Sequence, residues 1–165
     1  MKTRTRARIA GGGLAILLLG VTVVFDHAAQ AQTDPFAGTW VLNVAKSKYS
    51  PGPAPKSQTV VYAISGQSVK VMAKGIGADG KPISTQYTAN LDGKDYPVTG
   101  NPDWDMTSLK RIDPRTMEFT RKKNGKVVQT GTNVVSSDGK SRTTTTTGVD
   151  AQGQKVNNVA VYEKQ

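Results

Sequence analysis

The residues best suited by type and spacing to chemistry are Asp103 and Asp105, which flank Trp104 in a stretch that also holds Pro102. Two carboxylates so placed could work as a general acid/base pair or hold calcium, given other oxygen ligands brought near by the fold. The spacing lacks the glycine and the distal glutamate of an EF-hand loop, and on a strand both side chains would point one way as a solvated pair. A second cluster, Arg121, Lys122, Lys123 and Lys126, gathers cations around Asn124-Gly125. Such a tip could meet an anionic envelope surface such as lipopolysaccharide or phospholipid, although a solvated turn that discourages edge pairing accounts for it more simply. Aromatics are not interleaved with these basic residues, so no nucleic-acid partner is expected. The run Thr143 to Thr147 would set hydroxyls on both faces of one strand. β propensity is its ordinary explanation and a semi-polar barrel wall its functional one.

Much chemistry is excluded by what is missing. There is no cysteine, and the single histidine, His27, lies near the N-terminus. Ser-His-Asp and Cys-His arrangements, thiolate nucleophiles and nearly every zinc or copper site need residues that the chain beyond His27 lacks. Most acidic residues stand in turn contexts: Asp79-Gly80, Asp92-Gly93, Asp113-Pro114, Asp138-Gly139 and Asp150-Ala151-Gln152-Gly153. There an aspartate bonds its local backbone and tolerates turn geometry. No catalytic residue, no metal site and no cofactor is expected, and the protein reads as a non-enzyme.

The elements that must position any site begin after an export signal. Lys2, Arg4, Arg6 and Arg8 precede an apolar run from Ile9 to Phe25, and Ala29-Gln30-Ala31 supplies small residues for cleavage. This is the pattern of a secretory signal peptide over residues 1–31, which leaves no retained membrane span and a single domain over 32–165. No cysteine follows the run, so a lipid-modified N-terminus is not expected, and the basic residues form no twin-arginine pair. The expected location is periplasmic or extracellular. Removing four basic residues and one acid, Asp26, lowers the net charge of +10 to +7.

From Gly38 onward the chain alternates. Trp40, Leu42 and Val44 oppose Thr39, Val41 and Asn43 on a first strand, and Gly38 eases the chain into it. Ala45 to Lys56 is too rich in proline for a ladder and reads as a loop or lid. Strands follow over Gln58 to Ser65, Ser68 to Lys74, Pro82 to Leu91, Tyr96 to Thr99, Met106 to Ile112, Thr116 to Lys123, Lys126 to Ser136, Arg142 to Thr147 and Gln154 to Glu163. Asn124-Gly125 is the strongest hairpin signal, because both residues accept the positive φ of a type I′ turn. Short sequential hairpins without an amphipathic helix predict an all-β, antiparallel up-and-down barrel of about eight to ten strands, since closure removes exposed edges.

Two stretches carry a family resemblance. Gly38-Thr39-Trp40 resembles the first-strand signature of the lipocalin-like (calycin) barrels, a group that includes the fatty-acid-binding proteins, and Val161-Tyr162-Glu163-Lys164 resembles their last strand. The chain departs from that group in two ways. A proline-rich loop stands where two helices usually lie, and Ala160 stands where an arginine helps hold a fatty-acid carboxylate. It is more similar to the small secreted lipocalin-like proteins of bacteria, judged by Gly38-Thr39-Trp40, the Ser50-Pro51-Gly52-Pro53-Ala54-Pro55 loop and the hairpin-rich second half. The resemblance implies a fold and a ligand class more than a reaction.

Within such a barrel Trp40, Tyr62, Tyr87 and Phe119 fall on apolar faces of separate strands and converge inside, with Trp40 near the closed end. Thr85, Ala89, Gly131 and Asn133 share those faces and mix small and polar groups into the interior, and Lys110 or Arg121 could supply one inward charge. Tyr49, in the loop ending at Pro55, is placed to cover the opening with its hydroxyl in water. The expected partner is a small hydrophobic or amphiphilic molecule bound by a monomer, with Trp40, Tyr62, Tyr87, Phe119 and Tyr49 as ligand-binding residues. The alternative is a filled barrel that acts on the envelope or inhibits an enzyme through its loops and basic hairpin tip.

Overall fold

The computed structural model describes residues 33–165; the expected signal peptide and His27 lie outside the described residues. Ten strands follow one another: β1 (Gly38–Leu42), β2 (Ser57–Ser65), β3 (Ser68–Ile76), β4 (Pro82–Asn90), β5 (Tyr96–Thr99), β6 (Met106–Asp113), β7 (Thr116–Lys123), β8 (Lys126–Val135), β9 (Ser141–Val149) and β10 (Lys155–Lys164). Each pairs antiparallel with its chain neighbours, and β1 pairs with β10 to close the barrel, with Trp40 opposite Lys164 and Leu42 opposite Tyr162. The expected all-β, up-and-down closed barrel is therefore the fold. Among the described residues the only helical piece is a single 3-10 turn, Val44–Lys46.

The hairpins form where the turn chemistry requires them. Asn124 and Gly125 both take positive φ, 49° and 76°, as a two-residue I′ turn demands. The turn aspartates act as read from sequence: Asp79, Asp92, Asp113 and Asp138 each accept a hydrogen bond from the backbone N–H two residues on. Those bonds hold the carboxyls of Asp79, Asp92 and Asp113 below the usual range. For Asp138 the larger influence is the Ser136 hydroxyl. Asp150 accepts from Gln152 and Gln154 in the same manner.

The first strand ends two residues earlier than expected, while β3 and β9 run up to two residues past their expected ends. Val44 does not continue the Trp40 and Leu42 face, because Asn43 leaves the strand and its side chain accepts from Lys46 N–H to cap the 3-10 turn, leaving Val44 exposed. The local side-chain bond outcompetes the ladder there.

An up-and-down barrel puts alternate turns at opposite ends. The end with the β2–β3, β4–β5, β6–β7 and β8–β9 turns is sealed. Phe36 and Trp40 are fully buried there, the Trp40 indole Nε1 donates to Phe36 O at 2.8 Å, and Lys164 Nζ donates to Pro35 O at 3.1 Å. Asp34 pairs with Arg111, whose guanidinium covers the Phe36 ring at 5.0 Å. Burying each of these two large rings contributes roughly 1.5–3 kcal/mol. Val69, Met117 and Val135 complete the packed layer. The opposite end carries the β1–β2, β3–β4, β5–β6, β7–β8 and β9–β10 connections, and below them the barrel is not filled.

Candidate functional site

Strand alternation builds the interior. Residues i, i+2 and i+4 share a face, so β7 turns Met117, Phe119 and Arg121 inward, β9 turns Arg142, Thr144 and Thr146 inward, and β10 turns Ala160 and Tyr162 inward. On β8 the inward positions are Gln129, Gly131 and Asn133. These faces enclose a cavity of about 670 Å³ that opens between the Tyr49 to Pro55 loop, the β3–β4 turn and the Gly100 to Trp104 segment.

Of the residues expected to meet a ligand, Tyr49, Tyr62, Tyr87 and Phe119 line this cavity, on four different elements. Trp40 does not. It lies in the sealed end, under the Arg142 guanidinium at 5.6 Å, so that Arg142 forms the cavity floor above it. Tyr49 also differs from expectation in one respect. Its hydroxyl turns inward beside that of Tyr162, and burial pushes it above the ordinary tyrosine value, with Tyr162 adding to the rise. The hydroxyls of Tyr87 and Tyr162 are raised by burial too, while Tyr162 donates to Gln58. The lid that carries Tyr49 is pinned to β10: Lys48 pairs with Val159, and Ser50 N–H donates to Asn158 Oδ1 at 2.9 Å.

Two cations dominate the interior, and each is held differently. Arg142 is 2% exposed, and its Nη1 donates to Asn133 Oδ1 at 2.8 Å and toward Tyr62 Oη and Thr144 Oγ1, both at 3.1 Å. Its guanidinium lies 4.2 Å from the centre of the Tyr162 ring, while its Nε is buried with no hydrogen-bond partner. Arg121 sits nearer the mouth between two rings, 4.5 Å from the centre of Trp104 and 4.3 Å from that of Phe119, and donates to Gln129 Oε1 at 2.9 Å. Burial pushes this guanidinium below the usual arginine value. Among the described residues neither arginine is paired with a carboxylate. Ring faces and neutral acceptors offset part of the cost of desolvating a cation, but they supply no countercharge.

The remaining candidates are dispersed. Asp103 and Asp105 do not act on one site: Asp103 Oδ1 accepts from Ala151 N–H at 3.2 Å across the mouth, and Asp105 Oδ2 accepts from Asn124 N–H at 3.1 Å. Trp104 between them is buried edge-on to Tyr87, with ring centres 6.0 Å apart. The basic hairpin tip is divided as well, because Arg121 points inward and Lys122 pairs with Asp95 at 2.6 Å. Lys110, offered as an inward charge, is exposed. The threonine run splits by alternation, and Thr144 donates to Asn133 Oδ1 at 2.7 Å inside the barrel. Among the described residues no cluster of three or more His, Cys, Asp or Glu side chains is placed to hold a metal.

Arg142, Trp104, Tyr162 and Gln129 are site residues that the sequence did not single out. For Arg142 a signal exists, since it shares a period-two face with Thr144 and Thr146. Nothing in the alternation, however, says which face is inside when both are polar.

Fold and site together define a closed ten-strand antiparallel β-barrel with an internal cavity open at one end. No protein-family model matches the chain, and no curated protein matches it. Among solved structures it is similar to Rv2717c from M. tuberculosis, at 15% identity over 79% of this chain and 93% of that one, with a TM-score of 0.49. It is also similar to the zebrafish ileal bile acid-binding protein complexed with cholic acid, at 13% identity over 79% of this chain and 99% of that one, with a TM-score of 0.47. A redesigned β-barrel, mFAP1, bound to DFHBI, matches at 16% identity over 79% and 95% of the respective chains, with a TM-score of 0.42. The fold assignment rests on the strand order of this chain itself.

Proposed function

We propose that this protein is an exported, non-enzymatic carrier of a small amphiphilic molecule, held inside the barrel with its apolar part against Tyr62, Tyr87 and Phe119. The observation that carries the reading is the cavity. At about 670 Å³ it exceeds the roughly 300 Å³ at which ligand pockets begin, and it is reached from one end only. The rival expectation of a loop-acting protein required a filled core. Apolar contact would contribute roughly 25 cal/mol per Å² buried, before the cost of association. Export to the periplasm or beyond is supported by the charged start, the apolar run and the Ala29-Gln30-Ala31 site.

Uptake of a fluorescent fatty-acid probe by the purified protein tests the reading. Tyr62→Ala and Tyr87→Ala should each weaken it several-fold, while Lys126→Ala, at the exposed hairpin tip, leaves it within about twofold. Equal losses from all three, abolished by salt, would instead place the probe on the cationic surface.

A further inference from the structure

The two interior arginines occupy different depths. Arg142 bonds Asn133 and Arg121 bonds Gln129, residues four apart on β8 and therefore about 13 Å apart along the strand at roughly 3.3 Å per residue. Arg142 is therefore held deeper in the barrel than Arg121. Between them the inward position of β8 is Gly131, and the place its side chain would take is occupied by the Phe119 ring, whose Cζ lies 2.6 Å from where a β-carbon would stand, so that Phe119 and Tyr87 line the middle of the cavity. The carboxylates nearest the cavity, Asp79 and Asp103, stand at its rim and are engaged by the backbone N–H groups of Lys81 and Ala151. The interior thus offers a cation, an aromatic stretch and a second cation in series; among the described residues neither arginine is paired with a carboxylate, and the charge of Asp103 reaches Arg121 from the rim.

We infer that the cavity takes an elongated organic dianion, with one anionic group at Arg142 on the floor, an apolar or aromatic middle against Tyr87 and Phe119, and the second anionic group at Arg121 beneath the mouth. This deepens the carrier reading and rests on it. At the floor, Nη1 of Arg142 is taken up by Asn133, Tyr62 and Thr144 and Nε is buried out of reach, whereas Nη2 makes no hydrogen bond among the described residues and is not buried, so an incoming oxygen meets a donor that nothing else uses. At the mouth, Arg121 lies over the rings of Trp104 and Phe119 and spends Nη1 on Gln129, which leaves its remaining N–H groups to bond an anion. A monoanionic amphiphile would answer only one of these charges and leave the other desolvated.

Isothermal titration calorimetry of the full protein tests this with straight-chain dicarboxylates from succinate to dodecanedioate, each against the monocarboxylate of equal carbon number. At the best-fitting length the dicarboxylate should bind at least about tenfold tighter than its monocarboxylate, the gain expected from one more charge-assisted contact. In Arg121→Gln that advantage should vanish, and in Arg142→Gln both ligands should weaken. Monocarboxylates that match or exceed dicarboxylates at every length overturn the inference, as does an advantage that survives Arg121→Gln in a folded variant. If a substitution prevents folding, as judged by circular dichroism, the comparison on the unsubstituted protein decides alone. Binding of a neutral amphiphile such as dodecanol with neither acid series bound would overturn the dianion and leave the carrier reading standing. Failure of all three probes would remove both.

Discussion

Gly131 shows how one missing side chain shapes the interior. A β-carbon built there would lie 1.9 Å from the Thr145 carbonyl oxygen and 2.6 Å from Phe119 Cζ. Neither neighbour yields easily, since the first belongs to the β9 backbone and the second is a ring that also faces Arg121. Gly131→Ala should therefore cost about 1–3 kcal/mol in urea unfolding, as overpacking does elsewhere, and should weaken probe uptake by pushing Phe119 into the cavity. An unchanged urea midpoint would mean that the barrel relaxes around the methyl group. The same scale explains why the acidic residues were legible early. An aspartate before glycine bonds its own turn, and a bond two residues along the chain needs no knowledge of the fold.

Among the elements, β5 is the weak member of the ladder. It has four residues, and two register pairs join it to each neighbour, Gln86↔Thr99 and Tyr87↔Val98 on one side and Tyr96↔Thr107 and Pro97↔Met106 on the other. By contrast β3 is paired along nine residues to both β2 and β4. The segment after β5 folds over the mouth, held by Asn101 Oδ1 accepting from Asp103 N–H at 2.9 Å and by the Asp103 bond to Ala151. Local opening draws on the least-paired parts of a structure. Native-state hydrogen exchange should accordingly show the β5 and 100–105 amides exchanging at least about tenfold faster than the inner amides of β3 and β9. Uniform protection around the barrel would contradict this and would leave the Tyr49 loop as the access route.

At the scale of the whole molecule, the buried hydroxyls link stability to alkaline pH. Tyr49, Tyr87 and Tyr162 have their ionisation raised above the ordinary 10.0, chiefly by burial. Above that value the unfolded chain releases these protons while the folded barrel keeps them, so the folded state binds more protons and its stability falls as pH rises. The contribution is fully present below about pH 10 and is lost above it. The urea midpoint should drop between about pH 9.5 and 11.5, and Tyr87→Phe, which keeps the ring and removes the proton, should flatten the drop. A slope unchanged by that substitution would show that lysine deprotonation, and not the buried phenols, governs alkaline unfolding.

The sequence by itself determined the strands, most of their turns, the closure of the sheet and four of its inward aromatics, because each depends on a period of two or on a bond to a near neighbour. Tyr62, Tyr87 and Phe119 were identifiable as interior residues on those grounds alone. What only the tertiary structure decided was which polar side chains went inside and which ends of the barrel they reached. Arg142 looks, in the chain, like the charged start of an ordinary strand. It becomes the cavity floor because β8, β2 and β10 bring Asn133, Tyr62 and Tyr162 around it from nine, eighty and twenty residues away. Trp40 was readable as a closed-end residue, yet its separation from the cavity follows from that same arginine lying over it. Local patterning specifies faces. The register between distant strands decides what those faces enclose.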